Sequence, residues 1–395
     1  MKIASGTDYT IIVKGDGTLL ATGQNNRGQL GIPNQYYLQA FTQVDNVNNV
    51  KDIACGQSHT IILKNDGTVW GCGDNSLGEL GMILNNNSIN VFTQIDTSDV
   101  KSISCTYFST NVLKNDGTLW GCGSNGDGEL GLGTQNLHSF SKLQQIKTNG
   151  YNVKNTYGSY YTSYILKNDG TLCATGSIDF STDYQHFGLG ENIPPIHIYT
   201  QINDNVKDVY LSPRSVIVLK NDGTLWCAGI NTSGEFGLGD NLYRSTFTQI
   251  NFDTNNIKKM CKANNNTFIL QNDGTLWGCG YNGSGGLGLG DNVGRYVFTK
   301  IPVSDIADII GTRVGLYIIK NDMSVWTAGS NEDYRLGLPL PITYNTFTKI
   351  NGLVGDLNHL SNINPNSPMN KYSKMYWKNN QIKQLIYQNN ILWER

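Results

Sequence analysis

Three groups of residues in this chain have types and spacing that could support chemistry. The first is a set of glycine-rich strings such as GCGSNGDGELGLG (residues 121–133), with the small-residue density of loops that cradle phosphate through backbone N–H groups. No helical periodicity follows them, no Gly-Lys pair occurs in the chain, and they recur several times, so a nucleotide site is not expected. The second group is seven aspartates, Asp16, Asp66, Asp116, Asp169, Asp222, Asp273 and Asp322, six of them followed by glycine. Carboxylates at one height could hold a cation, but Asp-Gly is also what a hairpin turn selects, and turns on separate sheets stand too far apart to share a ligand. The third is the five histidines, His59, His138, His186, His197 and His359. Hydrolysis needs a nucleophile with a base in reach, and the chain has neither a Gly-x-Ser-x-Gly elbow nor a His-Glu-x-x-His motif. The eight cysteines fall in register, Cys72, Cys122 and Cys279 within WGCG and Cys55 and Cys105 in a second string, with no Cys-x-x-Cys pair. They read as reduced, buried fillers, and the chain reads as a non-enzyme without metal or cofactor.

The elements that position these residues form a repeat. IIVKGDGTLLATG, IILKNDGTVWGCG, NVLKNDGTLWGCG, YILKNDGTLCATG, IVLKNDGTLWCAG, FILQNDGTLWGCG and YIIKNDMSVWTAG make seven copies. Their turn aspartates are 50, 50, 53, 53, 51 and 49 residues apart, a period that belongs to propeller blades and not to shorter helical repeats. In the second copy Val50 to Cys55, Thr60 to Lys64, Val69 to Gly73 and Phe92 to Ile95 read as short strands. Asn65-Asp66-Gly67 joins the middle two, with Asp-Gly supplying the positive-φ residues of a tight turn. One such sheet cannot bury both faces alone, so the units must stack around an axis. The fold class is all-β: a seven-bladed β-propeller of four-stranded blades over residues 1–350, a linker over 351–370 and a small module over 371–395. In that module KMYWKNNQIKQLIYQNNILWER alternates apolar and polar residues around Asn379-Asn380 and Asn389-Asn390, the pattern of a three-stranded meander.

The string GQSHTIILKNDGTVWGCGDNSLGELG (residues 56–81) closely resembles the repeat of the regulator of chromosome condensation family. That repeat runs Gly, two variable residues, His-Ser/Thr, an Asp-Gly turn, aromatic-Gly-x-Gly-x-Asn and Gly-x-Leu-Gly. Departures are concentrated in particular copies. Only the second keeps the histidine (His59), the fourth substitutes SIDFSTDYQHFGLG for the short loop, and the seventh reads NDMS and SNEDYRLGLP. Those blades are expected to be locally irregular. The resemblance implies binding of protein partners through loops on one face of the ring. A plant ultraviolet-B photoreceptor of this family carries tryptophans in the turn after the first strand, where this chain has none, so photoreception is disfavoured. The C-terminal module resembles small β-modules at the ends of phage and prophage tail-associated proteins of Gram-positive bacteria; a strand unit that closes the ring is the alternative.

The strand directions separate two faces. The Asp-Gly turns lie on one and hardly vary, while the turn after strand one and the loop after strand three lie on the other. The turn positions read Thr7-Asp8, Gln57-Ser58, Tyr107-Phe108, Tyr160-Tyr161, Pro213-Arg214, Asn264-Asn265 and Arg313-Val314. The loops add Tyr36, Tyr37, Tyr184, His186, Tyr243, Arg244, Arg295, Tyr296, Tyr334 and Arg335. Tyrosine and arginine at variable tips are what interfaces favour, because they bring area and hydrogen bonds at modest entropic cost. The expected partner-binding set is therefore Tyr107, Phe108, Tyr160, Tyr161, Tyr184, Arg214, Tyr243, Arg244, Arg295, Tyr296, Arg313, Tyr334 and Arg335.

Charge narrows the partner. With 29 Lys and Arg against 31 Asp and Glu the net charge is -2, so no overall field draws the chain to nucleic acid or an anionic membrane. The first residues, MKIASG, lack a signal-peptide core, and no apolar segment is long enough to span a bilayer as a helix. Synthesis as a soluble cytoplasmic protein is expected, with virion association as an extension. The expected function is non-catalytic recognition of a protein or cell-surface glycan, as a phage or prophage tail-associated or surface-binding protein of a Gram-positive bacterium, with assembly into a larger complex. The alternatives implied by resemblance are an enzyme inhibitor like the β-lactamase inhibitor of this fold, and guanine-nucleotide exchange on a small GTPase.

Overall fold

The computed structural model describes residues 1–83, 87–133, 139–148, 152–176, 187–190, 193, 196–212, 214–339, 342–354, 374–378, 381–387 and 390–394. Seven four-stranded antiparallel sheets, each built from consecutive strands in sequence order, follow one another along residues 2–354 as the blades of a ring. In blade 2 the strands are Val50–Cys55, His59–Lys64, Val69–Asp74 and Ser88–Gln94. The first strands of successive blades pack side by side around the axis. The second strand has both faces covered by neighbouring blades and reads as a continuous apolar run, with Ile61, Ile62 and Leu63 fully buried. Each such side chain contributes about 1.5–3 kcal/mol relative to exposure. The outermost strand meets water on one side and alternates between exposed and covered residues.

The turn between strands two and three differs from the sequence expectation in one respect. Gly67 alone takes a left-handed conformation, with φ 82°. The Lys64 N–H donates to Thr68 O at 2.9 Å and the Gly67 N–H to Lys64 O at 3.1 Å, the pattern of a three-residue loop with glycine in the bulge. Asp66 acts instead through its side chain: Oδ1 accepts the Thr68 N–H (3.0 Å) and the Thr68 hydroxyl (2.7 Å). Those bonds hold the Asp66 carboxyl below its usual pKa. Thr68 Oγ1 then accepts the Trp70 indole N–H at 3.0 Å, and the Lys64 ammonium sits 4.3 Å from the Trp70 ring. The same unit recurs at Trp120 and Trp226. In blade 7 Met323 occupies the glycine position at φ 70°, so the irregular NDMS turn keeps its shape with an L side chain in a conformation that costs about 1–2 kcal/mol.

The loop after strand three is organised by a buried asparagine. Asn75 Oδ1 accepts the Leu80 N–H at 2.9 Å while Nδ2 donates to Met82 O, and Asn25 and Asn331 close equivalent loops. A threonine of the next blade's second strand clasps this loop, as when Thr110 Oγ1 donates to Glu79 O at 2.7 Å. The ring closes by the same contacts. Thr10 donates to Arg335 O (2.6 Å), Thr22 to Tyr334 O (3.0 Å), and the Arg335 guanidinium meets Asp8 at 3.0 Å.

All eight cysteines are unpaired, seven of them buried and Cys261 half-buried. The last strand of blade 7 runs Thr343–Val354. Residues 356–395 form a second compact unit containing the antiparallel strands Lys374–Lys378, Gln381–Tyr387 and Asn390–Glu394, in that order in one sheet.

Candidate functional site

The turns after strand one, equivalent in sequence, fall into two classes in space. In blade 2 Cys55 pairs with Thr60, leaving a four-residue turn closed by the Gly56 N–H donating to His59 O at 2.9 Å. Blades 1, 3, 4 and 7 close the same way through Gly6, Thr106, Ser159 and Thr312. Blades 5 and 6 close after two residues, Ser212 pairing with Ser215 and Ala263 with Asn266. The longer turns reach their neighbours. The Thr7 N–H donates to Gln57 O (3.3 Å), the Gln57 N–H to Tyr107 O (2.9 Å) and the Tyr107 N–H to Tyr160 O (3.0 Å). Four turns are thereby bonded edge to edge into an arc spanning blades 1 to 4.

That arc carries an aromatic cluster. The Tyr107 and Tyr160 rings lie 3.7 Å apart between centroids, and Phe108 and Tyr161 stand 6.0 Å apart beside them. Each of the four side chains is half-buried. Burial, followed by the neighbouring Tyr160 hydroxyl, pushes the Tyr107 phenol well above its usual pKa, so it stays neutral. From blade 7, Arg313 crosses the mouth and places its guanidinium 4.8 Å from the Tyr107 ring. Arg313 has no carboxylate partner among the described residues, and its Nη1 is buried without an acceptor. Below the mouth an axial cavity of about 440 Å³ is lined by the first strands of all seven blades. His59 is not part of it: the ring is buried with Nε2 3.2 Å from Thr110 Oγ1, and burial together with the Arg313 charge holds its pKa down at about 3. It is a neutral core histidine. Among the described residues no cluster of metal-ligating side chains occurs, and no helix is long and apolar enough to cross a membrane.

The remaining expected residues are dispersed. Arg214 is exposed on the short turn of blade 5. Arg244 and Arg295 staple their own loops, meeting Asp240 at 2.7 Å and Asp291 at 2.6 Å while donating to Leu242 O and Val293 O. Tyr243 is half-buried, and Tyr296 is exposed, with its ring laid so close over Gly234 that a Cβ there would fall 2.2 Å away. Tyr334 stacks on Tyr37 at 5.9 Å and Arg335 belongs to the closing seam. Tyr184 lies outside the described residues. The structure therefore brings Tyr107, Phe108, Tyr160, Tyr161 and Arg313 into one site. Two features escaped the sequence reading. One is the arc, whose signal was turn length hidden behind similar residues. The other is Lys262, which stands where Cys55 and Cys105 stand in other blades and donates to Ser215 Oγ at 2.9 Å inside the interface of blades 5 and 6.

The model of the family described as the regulator of chromosome condensation (RCC1) repeat matches residues 16–63, 50–79 and 100–129. Among curated proteins, the X-linked retinitis pigmentosa GTPase regulator of mouse is 34% identical over 116 residues, and that of dog is 32% identical over 114. Each match spans 28% of this chain but only 12% and 11% of those relatives' lengths. Among solved structures, yeast RCC1 (Prp20) bound to Kap60 superposes with a TM-score of 0.75 at 17% identity, covering 89% of this chain and 87% of the other. Human WBSCR16 superposes with a TM-score of 0.68 at 20% identity, covering 79% and 84%. At those identities the likeness speaks for the fold alone. The repeat matches and seven blades built on one plan support an RCC1-like seven-bladed β-propeller.

Proposed function

We propose that this propeller is a non-catalytic recognition protein that grips a protein partner on the face carrying the turns after strand one, centred on Tyr107, Phe108, Tyr160, Tyr161 and Arg313. The observation that carries this reading is the aromatic cluster on the bonded arc. Four half-buried rings held on rigid backbone offer large contact area with little conformational freedom left to lose, which is how interface anchors gain affinity. Exposed Arg214 and Asn264 supply a polar rim. Solved structures with this fold concern protein binding, yeast Prp20p with Gsp1p and histones and yeast RCC1 with Kap60, which supports a protein as the partner class. The finer reading is of a phage or prophage tail-associated or surface-binding protein, supported by the alternating, Asn-rich C-terminal module. Affinity capture with the propeller as bait, followed by titration of Tyr107→Ala and Tyr160→Ala, tests it. Each substitution is expected to weaken binding by about 2 kcal/mol or more.

A further inference from the structure

We propose that the axial cavity is a binding site for a single carboxylate group, with Arg313 as its charge partner. No Asp or Glu lines the cavity among the described residues, and about 440 Å³ holds an acid group with a small body attached. Arg313 lines it and has no carboxylate partner among the described residues, and its buried Nη1 has no acceptor there. The guanidinium carbon lies 4.8 Å from the Tyr107 ring centroid, a cation–π contact that holds it beside the cavity. Ser5 Oγ, also on the cavity wall, is a second buried polar atom without a partner. The other collar hydroxyls are committed: Ser104 to Thr156, Ser159 to Ser212 O and Thr312 to Gly315 O. Lys262 also borders the cavity, but its ammonium donates to Ser215 Oγ and lies 5.4 Å from the Phe236 ring. His59 is neutral. Arg313 keeps a donor without an acceptor, and its planar guanidinium matches the two oxygens of a carboxylate.

A free organic acid and an acidic side chain of a partner present the same group, and the second source rests on the reading proposed above. Calorimetric titration of the full chain with sodium benzoate and with an N-acetylated, C-amidated Gly-Asp-Gly peptide tests both sources without needing a partner. Benzamide, the Gly-Asn-Gly peptide and inorganic phosphate serve as comparisons. Saturable binding of an acid, absent with the neutral analogues, is expected. Arg313→Gln should weaken it about tenfold or more, and Arg313→Lys by less. Glutamine is a native residue at this turn position, as Gln57 in blade 2, so the variant keeps a side chain that the fold accepts. Tighter benzoate assigns a small organic acid, and a tighter peptide assigns a partner's acidic side chain. The proposal is overturned if neither acid saturates, if Arg313→Gln binds like the wild type, if benzamide matches benzoate, or if phosphate binds more tightly than both acids. Any of those results with partner capture through Tyr107 intact would remove the carboxylate site and leave the recognition face standing.

Discussion

Replacing Glu79 by glutamine should stabilise the protein at neutral pH and leave it unchanged in mild acid. Glu79 is 1% exposed in the loop after strand three of blade 2, where its Oε2 accepts the Leu77 N–H at 2.9 Å. Burial pushes its pKa from 4.5 up to about 7. Blade 1 already has glutamine there: Gln29 Oε1 accepts the Arg27 N–H at the same 2.9 Å. Glu79→Gln therefore keeps the acceptor and removes a charge the folded state disfavours. The folded pKa lies above the unfolded one, so the native state binds the extra proton between pH 4.5 and about 7. Wild-type stability from this group is greatest below 4.5, declines as pH rises towards 7 and is flat beyond. The gap between those values corresponds to about 3 kcal/mol at most. Urea denaturation of both proteins from pH 4.5 to 8 reads it directly, since contributions common to both cancel. The variant's advantage should grow from near zero to its plateau above pH 7. A pH-independent difference, or a variant less stable than wild type at pH 8, would refute the reasoning.

Two glycines with similar φ should respond differently to alanine. Gly117 (φ 84°) has open space where a Cβ would stand, with nothing within 4 Å, and should lose about 1 kcal/mol, whereas Gly123 (φ 97°) would place Cβ 2.3 Å from Phe108 O and should lose several-fold more, as thermal melts will show. Arg335→Ala removes the guanidinium joining Ser330, Glu332 and Asp8 across the seam, and is expected to cost about 2 kcal/mol in chemical denaturation while leaving the other blades' spectra unchanged. Truncation after Gly355 should leave a soluble propeller with a cooperative melt, because residues 1–355 form one compact unit; aggregation of the shortened chain would show that the C-terminal unit covers apolar surface.

The seven blades were legible because the hairpin signature is local: Lys-Asn-Asp-Gly-Thr specifies its own turn, and a second strand buried on both faces must be apolar throughout. The role of Asp66 was only half legible. Its place in a turn followed from residue type, but whether it supplies a dihedral or a carboxylate acceptor depends on the loop having three residues rather than two. Among the site residues, Tyr107, Phe108, Tyr160 and Tyr161 could be placed on one face by strand direction alone. That they touch depends on blade order and on the hydrogen-bonded arc, which no single repeat encodes. Arg313 and Arg335 look alike as loop-tip arginines, yet one crosses the mouth and the other closes the ring, because only Arg335 has an aspartate opposite it.

The measurement that tests the central claim most directly is a quantitative affinity capture from a lysate of the source organism with five baits. These are the wild-type chain, Tyr107→Ala, Tyr160→Ala, and the opposite-face controls Asp116→Ala and Asp222→Ala, whose carboxylates cap exposed hairpin turns. The partner should be retained by the wild type and both aspartate variants and depleted by about tenfold or more with each tyrosine variant. Loss of the partner from the aspartate variants, with both tyrosine variants capturing it at wild-type levels, would contradict the account and place recognition on the other face.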